Sequence, residues 1–556
     1  MNKTIIAFLL ALTCASTYGQ QITITSPNKK LSATVRLTKD GIRYQLMREN
    51  KMVIQWSKLS LTLDGNEFSS NLTFPKPKIN DVWDKYDQRI GKASHVESHS
   101  TELVIALKQK DLPHTQINLV FRAFDEGIAF RYEMISRDQS DSFLLHDEHD
   151  EFRLAGNPTA KVLPLPNYTS SHEGFYTTDS FNDLPSHQLL DMPALFQLED
   201  GTFVAITEAA LLDYAGMYLM KENGVLRSKL SPLPNDSLTK VKGKFPHRSP
   251  WRVVMISRNI GDFMSSNILT TLCPASRIAD ESWIKRGKTT FPWWNGNVVP
   301  DTLNAPGNNF ITQKYYIDFC ARAGIEYHSV VEYGLHQWYT DDGVGFQPGP
   351  HADVTTPVPG LNMKEVCDYA HSKGVGVRVW VYWSALYPKL EDAFAQFEKW
   401  GLSGMMIDFM DRDDQEMVNI QTEMLEKAAK HHLHIQFHGA YKPTGLSRTY
   451  PNEFTREGTL NYEAHKWGKP LSAEHDLDIV FTRALAGSTD YHLGGFRSVP
   501  EAAYQQQYTR PLMTDTRCHM LTMYVVLENA LGMVCDFPDA YEGQPGFDFL
   551  RAVPTT

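Results

Sequence analysis

Polar and apolar residues alternate with a period of two through the first half of the chain. Ile22 and Ile24, then Leu31, Ala33, Val35 and Leu37, then Ile42, Tyr44 and Leu46 each fall on one side of an extended segment, the pattern of half-buried strands. Lys39-Asp40-Gly41 lies between the last two runs and has hairpin-turn chemistry. The same arrangement recurs where Asp125-Glu126-Gly127 separates the run from Ile117 to Phe124 from the run from Ile128 to Tyr132. Many strands punctuated by Gly, Pro and Asp, with few helical periods, predict a large antiparallel β-sandwich up to about residue 255.

Near residue 280 the rhythm changes. Short apolar runs now alternate with helical patterns, which predicts βα units and a parallel sheet. The candidate strands are 290–294, 327–331, 376–381, 405–409, 434–438 and 533–535, with weaker ones around Glu453 and Ser488. From Leu390 onward, Leu390, Phe394 and Phe397 recur at i, i+4 and i+7 and leave Glu391, Asp392 and Glu398 for water, as in a helix covering a sheet. The number of strands favours a (β/α)8 TIM barrel over a doubly wound sheet. No Gly-x-Gly-x-x-Gly or phosphate loop follows any of them, and no Gly-x-Ser-x-Gly elbow is present. The expected fold is multidomain, an N-terminal antiparallel β-sandwich followed by a barrel. Its expected segments are a leader at 1–20, the sandwich domain with a helical linker at 21–280, the barrel at 281–540, and a terminal segment at 541–556.

The 556 residues carry 54 Lys+Arg against 65 Asp+Glu, a formal charge of −11, with no long basic run. A nucleic-acid partner is therefore not expected, because phosphate binding needs clustered cations to displace counterions. Lys3 followed by the apolar stretch from Ile5 to Leu12 reads as a cleaved secretory signal, and a lipid anchor at Cys14 ranks below simple cleavage. No later segment is long and apolar enough to span a membrane, so the expected location is beyond the inner membrane, in the periplasm. The remaining cysteines, Cys273, Cys320, Cys367, Cys518 and Cys535, are odd in number and scattered; four of them, Cys320, Cys367, Cys518 and Cys535, sit in apolar contexts that predict burial.

In a barrel the residues at the carboxyl ends of the strands share one mouth. Asp408 ends the apolar run Met405-Met406-Ile407, where a charge is unfavourable unless it has partners or a task, while Asp411, Asp413 and Asp414 are better placed to cap the following helix. Glu463 is a second candidate carboxylate, and two carboxylates from different strand ends suffice for glycoside hydrolysis. Trp293, Trp294, Trp338, Trp380 and Trp383 cluster at the first three strand ends, and indole faces suit the CH faces of a pyranose. His438, at a strand end, is read either as a packed imidazole or as a hydrogen-bonding group for a sugar hydroxyl. Glu457, Glu463 and a distant acid such as Glu208 could surround a hard cation.

Several segments together resemble glycoside hydrolase family 97. They include Phe121-Arg122-Ala123-Phe124-Asp125-Glu126-Gly127, Thr207-Glu208-Ala209, Ser282-Trp283-Ile284-Lys285-Arg286-Gly287-Lys288, Ile407-Asp408-Phe409-Met410-Asp411, Lys442-Pro443-Thr444-Gly445 and Phe481-Thr482-Arg483. The resemblance implies a β-sandwich, a catalytic (β/α)8 barrel and a C-terminal β-domain that is absent or truncated here. It also implies α-glycoside hydrolysis by either a retaining or an inverting branch. Asp408 matches the nucleophile of the retaining branch and Glu463 its acid/base, whereas Gly439 follows His438 where the inverting branch has a basic Glu. By the same comparison Glu208, Glu457 and Glu463 match calcium ligands, and His438, Lys442, Trp294, Trp383 and Glu332 are expected to bind substrate. Two stretches depart from the family: Val331-Glu332-Tyr333-Gly334-Leu335, and Gly487-Ser488-Thr489-Asp490-Tyr491-His492 where a Gly-Pro-Met-Asp-Tyr-Thr type is usual. The expectation is a retaining exo-acting α-galactosidase that takes small oligosaccharides or glycan ends and binds Ca2+. The alternatives are an inverting α-glucosidase or a β-L-arabinopyranosidase of the same family, or a non-catalytic glycan-binding protein.

Overall fold

The computed structural model describes residues 20–556 apart from 74–75, 111, 137–141, 301–302, 304–306, 332–336 and 345–346. The expected leader, except Gln20, and the expected substrate residue Glu332 lie outside the described residues.

The N-terminal half is antiparallel throughout. Gln21–Thr25, Leu31–Thr38, Gly41–Arg48 and Lys51–Leu59 form a four-stranded sheet, and Leu112–Phe124 pairs with Gly127–Ser136 inside an eleven-stranded one. Both expected hairpins close where the turn residues stand, with Thr38 opposite Gly41 and Phe124 opposite Gly127. Alternation places one side of each strand in a shared core, where the Tyr44 ring packs on Phe121 and Phe130 at centroid distances of 6.0 and 5.4 Å.

The second half is a parallel barrel. Its strands are β1 (Gly287–Thr290), β2 (Tyr327–Val330), β3 (Gly376–Tyr382), β4 (Gly404–Asp408), β5 (His434–Phe437), β6 (Glu453–Arg456) and β7 (Leu531–Val534), in the sheet order β6-β5-β4-β3-β2-β1-β7. Helices α1 (Phe310–Ala323), α2 (Met363–Ser372), α3 (Leu390–Trp400) and α4 (Gln415–Lys430) cover the outside. On α3 the apolar stripe of Leu390, Phe394 and Phe397 is buried as its spacing predicts. Asp414 caps α4, its side chain accepting from the backbone N–H groups of Glu416 and Met417, which leaves Asp408 free of that duty.

Two expected strands differ. The first ends at Thr290, and Pro292–Asn295 turns into a short helix that starts at a proline. The candidate around Ser488 is a single parallel bridge between Thr489 and Arg456. There the Arg483 guanidinium takes the carbonyls of Gly487 and Ser488 at 3.1 and 3.3 Å, so these oxygens are lost to a ladder. The segment still reaches toward the gap between β6 and β7, where the Thr489 N–H donates to Glu528 O at 3.2 Å.

Beyond β7, Phe547–Ala552 forms a helix against the barrel, and Lys288 Nζ donates to the Val553 carbonyl at 2.8 Å. Cys273, Cys320, Cys367 and Cys535 are buried, while Cys518 is exposed, contrary to its apolar context, because the helix Arg517–Val526 buries Met520, Leu521, Met523 and Tyr524 instead. Among the described residues no helix is long and apolar enough to cross a membrane.

Candidate active site

A cavity of about 570 Å³ opens at the carboxyl end of the barrel strands. Asp408, His438, Glu457 and Glu463 meet there, joined by Glu173 from a loop of the sandwich.

Asp408 is the last residue of β4, and three donors converge on it. Trp380 Nε1–H donates to Oδ2 at 2.8 Å, the Phe409 amide donates to Oδ1 at 2.6 Å, and His438 Nδ1–H donates to Oδ1 at 3.2 Å. Burial alone would raise its pKa, yet the His438 charge and these hydrogen bonds hold it below the ordinary Asp value. His438 shows the reciprocal effect: burial opposes its charge, but Glu457 Oε1 at 3.0 Å and Asp408 lift it well above the ordinary His value. The result is an ionised carboxylate kept in place by an imidazolium.

Glu463 is in the opposite condition. Burial, followed by repulsion from Glu173, pushes its pKa well above the ordinary Glu value, which favours the protonated form. Two buried carboxyl groups in one cavity are thus pushed in opposite directions, the arrangement required of a nucleophile and a general acid. Glu457 is also raised, by burial and by Glu173, despite the neighbouring His438. It is fixed by the Gly439 amide on Oε2 at 2.7 Å and by Asn461 Nδ2–H on Oε1 at 2.8 Å. Asp411 also faces the cavity, raised to about 6 by burial and by Asp408. His492 lines the wall and is lowered to about 4 by burial.

The backbone beneath these groups is strained. Phe409 has φ +64°, Asp411 +32° and Gly439 +49°. A Cβ on Gly439 would stand 3.0 Å from both the N and the Cα of Phe409 and from Asp411 Oδ1.

Several expected site residues are placed elsewhere. Trp294 is fully buried and its Nε1–H donates to the Tyr462 carbonyl at 3.0 Å, because the helical turn at 292–295 sends it to the core and its neighbour Trp293 to the cavity. Trp383 begins the helix Trp383–Leu386 and packs on Tyr387, and it is not among the residues that line the cavity. The aromatic rings on the cavity wall are those of Trp293, Trp380 and Trp467 among others. Lys442 is fully buried between the two domains, where its Nζ donates to Glu208 Oε1 at 2.6 Å.

Glu208 stands apart from the acidic cluster and does not line the cavity. Its carboxylate accepts from Lys442, from Arg252 Nη1 at 2.7 Å and from the Met217 amide at 3.1 Å, so its charge is already compensated. The carboxylate that the sandwich contributes is Glu173. Its loop is held over the mouth by the Ser170 amide, which donates to the Asp411 carbonyl at 2.7 Å, and by His172 Nδ1 at 2.8 Å from Asp191 Oδ2. In sequence Glu173 is one acid in a polar stretch, Asn167 to Gly174; the only available signal is a long loop without apolar alternation inside a β-domain.

The ligand atoms of His438, Glu457 and Glu463 lie within 4.8 Å of one another. Two adjacent carboxyl groups, with Glu173 beside them and no Lys or Arg among the three, form an oxygen-rich set that fits a hard cation once they are ionised.

Comparison with known proteins is consistent with this geometry. Residues 24–274 match the glycosyl-hydrolase 97 N-terminal family and residues 293–459 match glycoside hydrolase 97. The whole chain is 31% identical to a retaining alpha-galactosidase of Bacteroides thetaiotaomicron, covering 85% of that protein. The chain belongs to glycoside hydrolase family 97. This family 97 protein is also 26% identical to a probable retaining alpha-galactosidase of Streptomyces bingchenggensis, over 100% of this chain and 83% of that one. Among solved structures, a family 97 enzyme of Pseudoalteromonas sp. strain K8 in complex with panose superimposes with a TM-score of 0.87 and 28% identity, covering 96% of this chain and 83% of that one. As a member of the family, the protein is a glycoside hydrolase.

Proposed function

We propose that the protein is a retaining exo-acting α-galactosidase. The reading is carried by the meeting of Asp408 and Glu463 in one cavity with their pKa values shifted in opposite directions, and the relatives named retaining alpha-galactosidase support it. In the first step Asp408 attacks the anomeric carbon while Glu463 gives its proton to the leaving oxygen. In the second, Glu463, now ionised, takes a proton from water, and the water displaces the sugar from Asp408. Trp380 and the Phe409 amide keep the nucleophile aimed, and His438 keeps it charged. Trp293 and Trp467 offer apolar faces to the pyranose.

The same reading assigns Ca2+ to Glu173, Glu457 and Glu463. When bound, the cation supplies positive charge that fixes the acid and ties the sandwich loop to the barrel. The substrates are small oligosaccharides or glycan ends bearing terminal α-galactose, and the protein acts in the periplasm after export. Gly439 disfavours an inverting α-glucosidase, since the position has no side chain to serve as base and no room for one beside Phe409.

A panel of aryl α-galactoside, α-glucoside and β-L-arabinopyranoside, assayed with and without chelator, tests the substrate and the metal together. The highest kcat/KM is expected for the galactoside, with loss of activity on chelation. With Asp408→Ala, azide should restore turnover and yield β-galactosyl azide. Sugar binding without turnover of any glycoside by the wild type would instead indicate a glycan-binding protein.

A further inference from the structure

His492 has one ring nitrogen engaged and one not. Its Nδ1 lies 2.8 Å from Asn461 Oδ1. The Asn461 amide has only one admissible orientation. Oδ1 accepts the Glu463 backbone N–H at 2.8 Å, and Nδ2 donates to Glu457 Oε1 at 2.8 Å. Reversing the amide would set N–H against N–H and oxygen against carboxylate. Oδ1 is therefore an acceptor, and the hydrogen between it and the ring belongs to Nδ1.

The ring is buried beside Phe291 and Trp293, at centroid distances of 5.0 and 6.0 Å, apolar surroundings that disfavour a second proton on it. Its Nε2 then presents a lone pair, is itself buried, and has no hydrogen-bond partner among the described residues. Glu463 Oε2 lies 3.7 Å away, too far for a direct hydrogen bond. Once Glu463 has given up its proton, two acceptors from residues that line the cavity stand 3.7 Å apart, a spacing that suits a small molecule with two O–H bonds.

We propose that His492 Nε2 and Glu463 Oε2 together hold the water that hydrolyses the glycosyl-enzyme. The proposal rests on the retaining reading and assigns a residue to its second step. The water oxygen forms the new bond to the anomeric carbon as the bond from that carbon to Asp408 breaks, its electron pair returning to the carboxylate. One water proton passes to Glu463. The other O–H donates to His492 Nε2, which accepts a hydrogen bond and no charge. In the first step Glu463 is the donor and the glycosidic oxygen has no hydrogen to offer, so His492 acts selectively after the covalent intermediate has formed.

Two replacements separate the two ring atoms. H492N keeps a nitrogen facing Asn461 and deletes the acceptor at the ε position, whereas H492Q can return an amide oxygen there. With an aryl α-galactoside bearing a good leaving group, H492N should lower kcat about tenfold with KM falling in parallel, leaving kcat/KM within about threefold of wild type. Rapid quenching followed by mass spectrometry should show a hexose ester accumulating on Asp408 in H492N, and H492Q should recover most of kcat. If H492N does not fold, H492F keeps a ring in place and gives the same readouts. A kcat/KM that falls as far as kcat, or no rise in the adduct, would overturn the role of His492. Net inversion by the wild type would remove the retaining reading, and this inference with it.

Discussion

Trp380 Nε1–H donates to Asp408 Oδ2 at 2.8 Å, from the strand next to the one that ends in Asp408. The indole is buried, so this hydrogen bond acts where water does not compete. Trp380→Phe keeps the packing and removes the donor. It should lower kcat/KM about tenfold and shift the acid limb of the pH profile upward, because the ionised form of Asp408 loses a partner. An unchanged acid limb would mean that the bond does not tune the nucleophile.

The pH profile of kcat/KM follows from the two opposed carboxyls. Asp408 is held below its ordinary pKa by His438 against the effect of burial, so activity should persist down to the acid side of the usual Asp range. Glu463 is raised by burial and Glu173, so activity should fall only as pH climbs above the usual Glu range. The result is a bell whose acid limb reports deprotonation of the nucleophile and whose alkaline limb reports loss of the acid's proton.

Glu173→Gln removes one negative charge next to Glu463. One candidate ligand is lost, so calcium affinity measured by titration calorimetry should drop. If Glu208 were the ligand from the sandwich, the same substitution would leave calcium affinity unchanged.

Gly439→Ala tests the strained floor. The position has φ +49° and its Cβ would press on Phe409 at 3.0 Å, so a loss of stability of about 1–3 kcal/mol is expected together with a fall in kcat as Asp408 is displaced. Gly439→Glu should for the same reason fail to yield an inverting enzyme, as judged by the anomer formed.

Lys442→Met leaves buried Glu208 with Arg252 alone and takes a cation away from buried Asp413. A cost of about 3–5 kcal/mol in urea unfolding is expected, with KM of the surviving folded enzyme little changed. A raised KM at unaltered stability would restore Lys442 to the substrate site.

The architecture was largely legible in the sequence, because alternation of period two and apolar stripes of period 3.6 are local signals that burial enforces. Asp408 could be found because a charge at the end of an apolar strand is conspicuous. Trp294 was misplaced because a one-turn helix at Pro292 replaced the strand alternation that would have turned it to the mouth. Lys442 and Glu208 stand out in the sequence through the family resemblance, as a substrate-binding residue and a cation ligand, yet they neutralise each other across the domain interface, a pairing 234 residues apart in sequence. Glu173 escaped notice because its role comes from the docking of a sandwich loop on Asp411, a tertiary event without a local pattern. The His492 tautomer is likewise set by the amide orientation of a residue 31 positions away.

The most direct test of the account is proton NMR of the first sugar released from an aryl α-galactoside, recorded before mutarotation. Initial appearance of the α-anomer is predicted, since displacement by Asp408 and then by water inverts the anomeric carbon twice. Initial appearance of the β-anomer would mean a single displacement and would contradict the assignment of Asp408 as nucleophile.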